Sequence, residues 1–540
     1  MIFQRVNLVL LATLAVAGFQ TGQALSAAPA LPVVAQFHWL GLNQISADTN
    51  SAQFLKVWHL PQTAALVNQT LDKCSRWPAG GATNAATALL RPLLDDLVSS
   101  ESRLEIRALP NAQSATGNFQ LLVALRLPAA RVWTWQTNLA AVCEDLTGAH
   151  PVSTASGWTL AGANPVENVG FSRAGKWILI SLGQGSAERL PAFAASLTSN
   201  PAPSSADWLE ADLALARLAD VISRSASPSE AAGWGELGAL NGASIARLFS
   251  AISDFHFTVA GESGRLRTLG TFTLEHPLTN SLADWNVPTN FIYQSVTGFT
   301  AMRGIASWLG GSSVWQKTRF APAPDQMFFW AQSGIPFQTY FAAPLPGASN
   351  QLYQLAARLV ARGNPWLATN GQGNFQWQPN PPVLMWNDAL MISPFLKPVV
   401  VNQSDWLLGG LYPLTLADAS PTPASLVQVL SQTPNLLYYQ TEQTAVRVDA
   451  GLFITQLFRV VFHKPQLPPQ GAAAQWLKHI EPLLGDSTTE ITRTRPQTLS
   501  FARQSTIGFT ALELHLLADW LESPQFPHGL HTFLAPPDGK

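Results

Sequence analysis

The chain has 540 residues, of which 47% are hydrophobic, 10% aromatic and only 12% charged, and its net charge is -2. Disorder needs high charge and few aromatics, so this is a folding composition. Near-neutrality removes the electrostatic case for nucleic acid, and no basic run favours an anionic lipid surface.

The N-terminus reads as an export signal. Arg5 gives the positive start, Val6 to Phe19 is apolar and uncharged, and Gln20 to Ala30 is rich in small residues. Gly22 and Ala24 place cleavage after Ala24, so residues 1–24 are the expected signal peptide. The apolar run is shorter than the roughly 20 residues of a comfortable span, and its retention as an anchor is the alternative. No later stretch is long and apolar enough to cross a bilayer as a helix. The protein is therefore expected in the periplasm or outside the cell, with no transmembrane helix after cleavage.

Val33 to Ile45 reads as a strand, and Ser51 to Cys74 as helix broken at Pro61. A second helix follows Ala86, interrupted near Pro92. Arg103 to Leu109 and Phe119 to Leu127 then form a hairpin, followed by a helix from Ala129 to Cys143. Leu104, Ile106 and Ala108 alternate with Arg103, Glu105 and Arg107, which marks a half-buried strand. The hairpin–helix unit recurs at Gly157, at Asp254 to Trp285, at Gln326 to Arg362 and at Thr489 to Glu522. Added strand–helix units precede several copies. The two LADW segments, ending at Trp285 and Trp520, are the best local match and are both read as helix ends.

A hairpin has one face to bury, and the following helix is its nearest cover. The expected fold is α+β, with repeated units building antiparallel or mixed sheets and helices on one side. Pro/Ser-rich stretches at 199–205 and 418–423 suggest three parts, 25–200, 206–418 and 424–523, and a flexible tail at 524–540. The central part holds an aromatic-rich core from Trp285 to Phe341. There the hairpin of Phe328, Trp330 and Phe341 carries rings on both faces and is expected to be buried.

Candidate chemistry is sparse. Glu210 and Asp212 share a strand face about 7 Å apart, suited to acid/base work or a divalent ion; a solvated strand surface is the plain alternative. Gly310-Gly311-Ser312 is a helix stop and cap, not a hydrolase elbow. Gly183-Gln184-Gly185-Ser186 lacks a full dinucleotide fingerprint and reads as a helix cap. His38 and His256 are taken as core or edge histidines. His528 and His531 are too few for a closed metal site, so neither metal nor cofactor is expected. Trp308, Trp315 and Trp330 are candidate ligand-stacking residues, with plain core as the alternative. Cys74 and Cys143 either pair in an oxidising compartment or remain separate buried thiols.

At Phe299–Leu309 (FTAMRGIASWL), Phe328–Pro344 (FFWAQSGIPFQTYFAAP) and Pro434–Val448 (PNLLYYQTEQTAVRV) the sequence resembles large uncharacterised exported proteins of Verrucomicrobia-type bacteria. The resemblance implies bacterial export and supplies no site residues. The leading expectation is an exported, envelope-associated protein with a non-catalytic binding or structural role and an envelope or hydrophobic partner. The alternatives are a hydrolase of glycan or ester, with Glu210 and Asp212 as its carboxylates, and a carrier of a lipid or other hydrophobic ligand.

Overall fold

The computed structural model describes residues 32–76, 78, 85–108, 119–162, 168–199, 207–218, 251–278, 281–293, 295–332, 339–370, 373–389, 392–412, 422–461, 471–522 and 526, without the side chains of 119, 198–199, 313–314, 370 and 454–461. The expected signal peptide, His528 and His531 lie outside these residues, as do most of the expected first linker and tail.

Among the described residues twenty strands join in one sheet. In chain order they are β1 (Val33–Trp39), β2 (Ser102–Ala108), β3 (Phe119–Arg126), β4 (Val152–Ser153), β5 (Gly157–Leu160), β6 (Val169–Ala174), β7 (Trp177–Leu182), β8 (Asp207–Leu213), β9 (Ile252–Glu262) and β10 (Arg265–Leu274). The second ten are β11 (Val296–Arg303), β12 (Gln326–Gln332), β13 (Thr339–Pro344), β14 (Asn374–Pro379), β15 (Pro382–Asn387), β16 (Phe395–Val401), β17 (Ser404–Gly410), β18 (Leu436–Gln443), β19 (Asp486–Arg495) and β20 (Thr498–Ser505). Every pairing among them is antiparallel. Across the sheet the order is 4-5-6-7-3-2-1-8-9-10-20-19-18-11-12-13-17-16-15-14.

Read outward from the central β10–β20 pair, the two sides follow the same path, each strand matched by the one ten later. The registers match as well. When Leu127-Pro128-x-Ala130 is set on Leu345-Pro346-x-Ala348, the ladders carry His38 onto Ala301, Arg103 onto Phe328, Glu105 onto Trp330 and Glu210 onto Tyr439. The same ladders carry Asp212 onto Thr441 and His256 onto Thr488. Strand pairing also runs across both expected linkers: β1 pairs with β8, and β11 with β18.

Helices pack on both faces, which corrects the one-sided expectation. Alternate residues of β3 show it. Leu121, Val123 and Leu125 face a core closed by α2 (Ala85–Ser99) and α3 (Ala129–Thr147), following α1 (Pro61–Arg76). Leu122 and Ala124 face the other way, against Leu190, Phe193 and Leu197 of α4 (Leu190–Ser199). The second half repeats this arrangement. Leu352, Leu355 and Ala356 of α5 (Ala348–Arg358) cover one face, and Leu426 and Leu430 of α6 (Ala424–Gln432) the other. A further apolar core joins α1 to α7 (Thr444–Val461), α8 (Ala472–Ile480) and α9 (Ala511–Glu522). Within it the Trp476 indole donates to Thr63 Oγ1 at 3.1 Å, and Lys73 Nζ to the Leu521 carbonyl at 2.6 Å.

The aromatic centre is core. Phe328 and Trp330 are 0% and 1% exposed, and Phe341 is partly buried on the opposite face. Gly409 and Gly410 of β17 make room for its rings. A Cβ at Gly410 would stand 2.5 Å from Tyr340 Cδ1, and one at Gly409 only 2.3 Å from Phe341 Cε1. The residues around Trp285 are not helical, contrary to expectation. They lie against β12, where Gln326 Nε2 donates to the Asp284 carbonyl at 2.6 Å and the Trp285 ring stands edge-on to Phe328 at 5.8 Å. Arg303 holds them there. It is 4% exposed, lies 4.6 Å over the Trp285 ring, and donates to the carbonyls of Ala283, Leu436 and Pro434.

Candidate functional site

The expected site strand, β8, lies between β1 and β9. Its alternation puts Leu209 and Ala211 into the core and turns Glu210 and Asp212 to the other face. Directly opposite Asp212 are Gln36 of β1 and His256 of β9; opposite Glu210 are His38 and Thr258. The next strand, β2, adds Glu105 beside Gln36 and Arg103 beside His38. The result is a polar ribbon across four adjacent strands. In the second half, the same positions on β11, β12 and β18 hold Ala301, Phe328, Trp330 and Tyr439, all buried in the aromatic core.

Three donor groups converge on the ribbon. One ligand atom each from Glu210, Asp212 and His256 lies within 4.8 Å of the other two. His256 Nδ1 is 2.8 Å from Asp212 Oδ1, and both side chains are about half exposed. The sequence reading left His256 as a core or edge residue and expected no metal-binding set; the β8–β9 register brings it to the two carboxylates. Such a set offers an imidazole oriented by a carboxylate, suited to proton transfer, or two hard oxygens and one borderline nitrogen, suited to a divalent ion.

A second network lies alongside. His38 Nε2 meets Glu101 Oε1 at 3.1 Å, while Arg126 Nη1 and Gln44 Nε2 donate to Glu101 Oε2 at 3.0 and 3.2 Å. Burial opposes ionisation of Glu101, yet the hydrogen bonds from His38, Arg126 and Gln44 overcome it and hold the carboxyl at about 2. Glu105, also buried, accepts from Gln36 Nε2 at 3.1 Å and Arg107 Nε at 2.5 Å. These buried carboxyl groups tie β1 and β2 together beside the exposed cluster.

The three candidate tryptophans do not meet. Trp330 is sealed in one core, Trp315 packs against Phe320 on the opposite face of the sheet, and Trp308 is 65% exposed. Cys74 and Cys143 are free and buried in different cores, so the possible disulfide is absent. Burial pushes both thiols up to about 12, which leaves them unreactive at neutral pH. A buried carboxylate elsewhere, Glu442, is structural: it accepts the Ala511 N–H at the start of α9 at 2.6 Å. No helix among the described residues is long and apolar enough to cross a membrane.

No protein-family model matches the chain, and no curated protein does. Two solved structures match at low similarity. One is titled "Structure of crystal form III of TP0453", at 10% identity over 46% of this chain and 80% of that chain, with a TM-score of 0.23. The other, "Structure of crystal form I of TP0453", shows 8% identity over 44% of this chain and 100% of that chain, with a TM-score of 0.22. Likeness at that level assigns neither fold nor function.

Proposed function

We propose that this is an exported, envelope-associated binding protein without catalytic activity, built from two copies of one ten-stranded unit. The hairpin–helix recurrence read in the sequence is, in this view, the visible part of that larger duplication. One observation carries the functional reading: equivalent faces of the two halves differ in chemistry. The second half uses the face as a closed aromatic core, and the first lines it with polar side chains, Glu105 buried and Asp212 and His256 about half exposed. A fold that needs only a core at this position has no use for Glu210, Asp212 and His256, so the ribbon is the natural place for a binding role. The resemblance to exported bacterial proteins and the signal-like N-terminus support the location.

The Asp212–His256 contact favours a second reading, a hydrolase in which His256 acts as base. The aromatic centre gives a carrier less support, because its own rings fill it. Two measurements test the proposal. Mass spectrometry of the protein recovered outside the cytoplasm should find Leu25 at the N-terminus; retention of Met1 counts against export. A panel of chromogenic esters and glycosides should show no turnover. Turnover that disappears in Glu210→Ala, with folding unchanged, would replace the binding role by the hydrolase.

A further inference from the structure

The geometry points to a site for a divalent transition-metal ion, zinc or a metal of similar preference, formed by Glu210, Asp212 and His256. The inference goes beyond the binding-protein reading and stands or falls separately from it. Three features carry it. The donors have mixed chemistry, two carboxylates and one imidazole, which suits zinc-like ions better than the all-oxygen shells of calcium or magnesium. Their backbones are fixed: Asp212 and His256 are directly paired across β8 and β9, and Glu210 is two residues along the same strand face. In the matching second-half ladders Tyr439, Thr441 and Thr488 stand in their places, so the fold does not impose the donor set.

The distances suit a site that closes on its ion. Tetrahedral zinc with bonds of about 2.0 to 2.2 Å holds its ligands about 3.5 Å apart. The donor atoms already lie within 4.8 Å of one another, and His256 and Asp212 are at 2.8 Å. Closing the widest gap takes a movement of at most about 1.3 Å, within the rotamer freedom of partly exposed side chains. Three protein ligands leave at least one coordination position open to solvent, where a water or a donor from a partner binds.

The full chain, stripped with chelator, is titrated with zinc chloride by calorimetry, and with cobalt(II) by visible absorption as a report on ligand geometry. Wild type should bind one more equivalent than His256→Ala and Asp212→Ala. Glu210→Gln should weaken that equivalent at least tenfold. Zinc held by His528 and His531 in the tail would survive in all three variants, so the readout is the difference. Glu262→Gln, a partly exposed carboxylate on the same β9 strand that pairs with Arg267, should bind as wild type does. His256→Gln serves as the second variant, and circular dichroism confirms folding in each. Equal stoichiometry and affinity in wild type, His256→Gln and Asp212→Ala would overturn the site.

Discussion

Arg303→Met tests the way the aromatic core is closed. The guanidinium is buried, and its donors end on three carbonyls, two of them at 2.7 Å: Leu436 through Nε and Ala283 through Nη1, with Pro434 through Nη2. Methionine keeps most of the volume and strands all three acceptors. A buried acceptor left unpaired costs about 1 to 3 kcal/mol, and partial rehydration near the chain surface favours the lower end. With about 1 kcal/mol more for the cation–π contact on Trp285, the expected loss is about 4 kcal/mol. Arg303→Lys keeps a charge but not the fork, and should lose about half as much. Hydrogen exchange is the suitable assay because it reads local opening in a chain too large for two-state analysis. Amides from 283 to 292 should exchange faster by the factor that corresponds to this loss. A change below about 1 kcal/mol, with those amides still protected, would refute the idea that Arg303 clamps the segment.

Trp330→Ala should cost about 3 to 5 kcal/mol by opening a cavity among Phe299, Phe328 and Tyr340, read as an earlier denaturation midpoint; a loss under about 1 kcal/mol would mean that the core tolerates the void. Glu101 links stability to pH. Its folded value is depressed below its ordinary value of 4.5, so its contribution is full above that value and is lost as pH falls towards about 2. A shift of that size is worth roughly 3 kcal/mol, and about 2 after allowance for the half-exposed Arg126 partner. Glu101→Gln should therefore flatten the stability–pH curve in that window, and an unchanged acid limb would contradict the assignment. Cys74 and Cys143 should resist a thiol reagent in the native protein and react fully on unfolding, and reductant should leave stability unchanged; one blocked pair after unfolding would reveal a disulfide.

Much of the local structure was legible because it rests on alternation and punctuation. Leu104 and Ile106 alternating with Arg103 and Glu105 marked the strand and its apolar face, although Glu105 on the opposite face is buried too, and the rings of Phe328 and Trp330 marked an interior strand. The LADW repeat misled at Trp285 for a physical reason. In α9, Thr510 and Glu513 cap the helix reciprocally, and α1 and α8 give it a surface to pack on. The earlier copy runs into Asn286-Val287-Pro288, where Pro288 disfavours helix in the residue before it, and Arg303 packs 4.6 Å over the Trp285 ring. The matching paths of the two halves share Leu127-Pro128-x-Ala130 and Leu345-Pro346-x-Ala348 but have no constant period in sequence. Helices α1 and α2 separate β1 from β2, whereas only two short helices separate β11 from β12. His38 and Ala301 are therefore farther apart in sequence than Ala124 and Ala342. Of the site, Glu210 and Asp212 follow from strand alternation. His256 could not, because its place beside Asp212 depends on a strand register that sequence spacing leaves open.

The metal site on the polar ribbon of the first half is most directly tested by diffraction from zinc-soaked crystals, recorded on both sides of the zinc absorption edge. We expect one anomalous peak between Glu210, Asp212 and His256, at about 2.0 to 2.2 Å from one atom of each, that is missing from His256→Ala crystals. Saturating zinc with no peak at that position, and the three side chains left as in the metal-free protein, would contradict it.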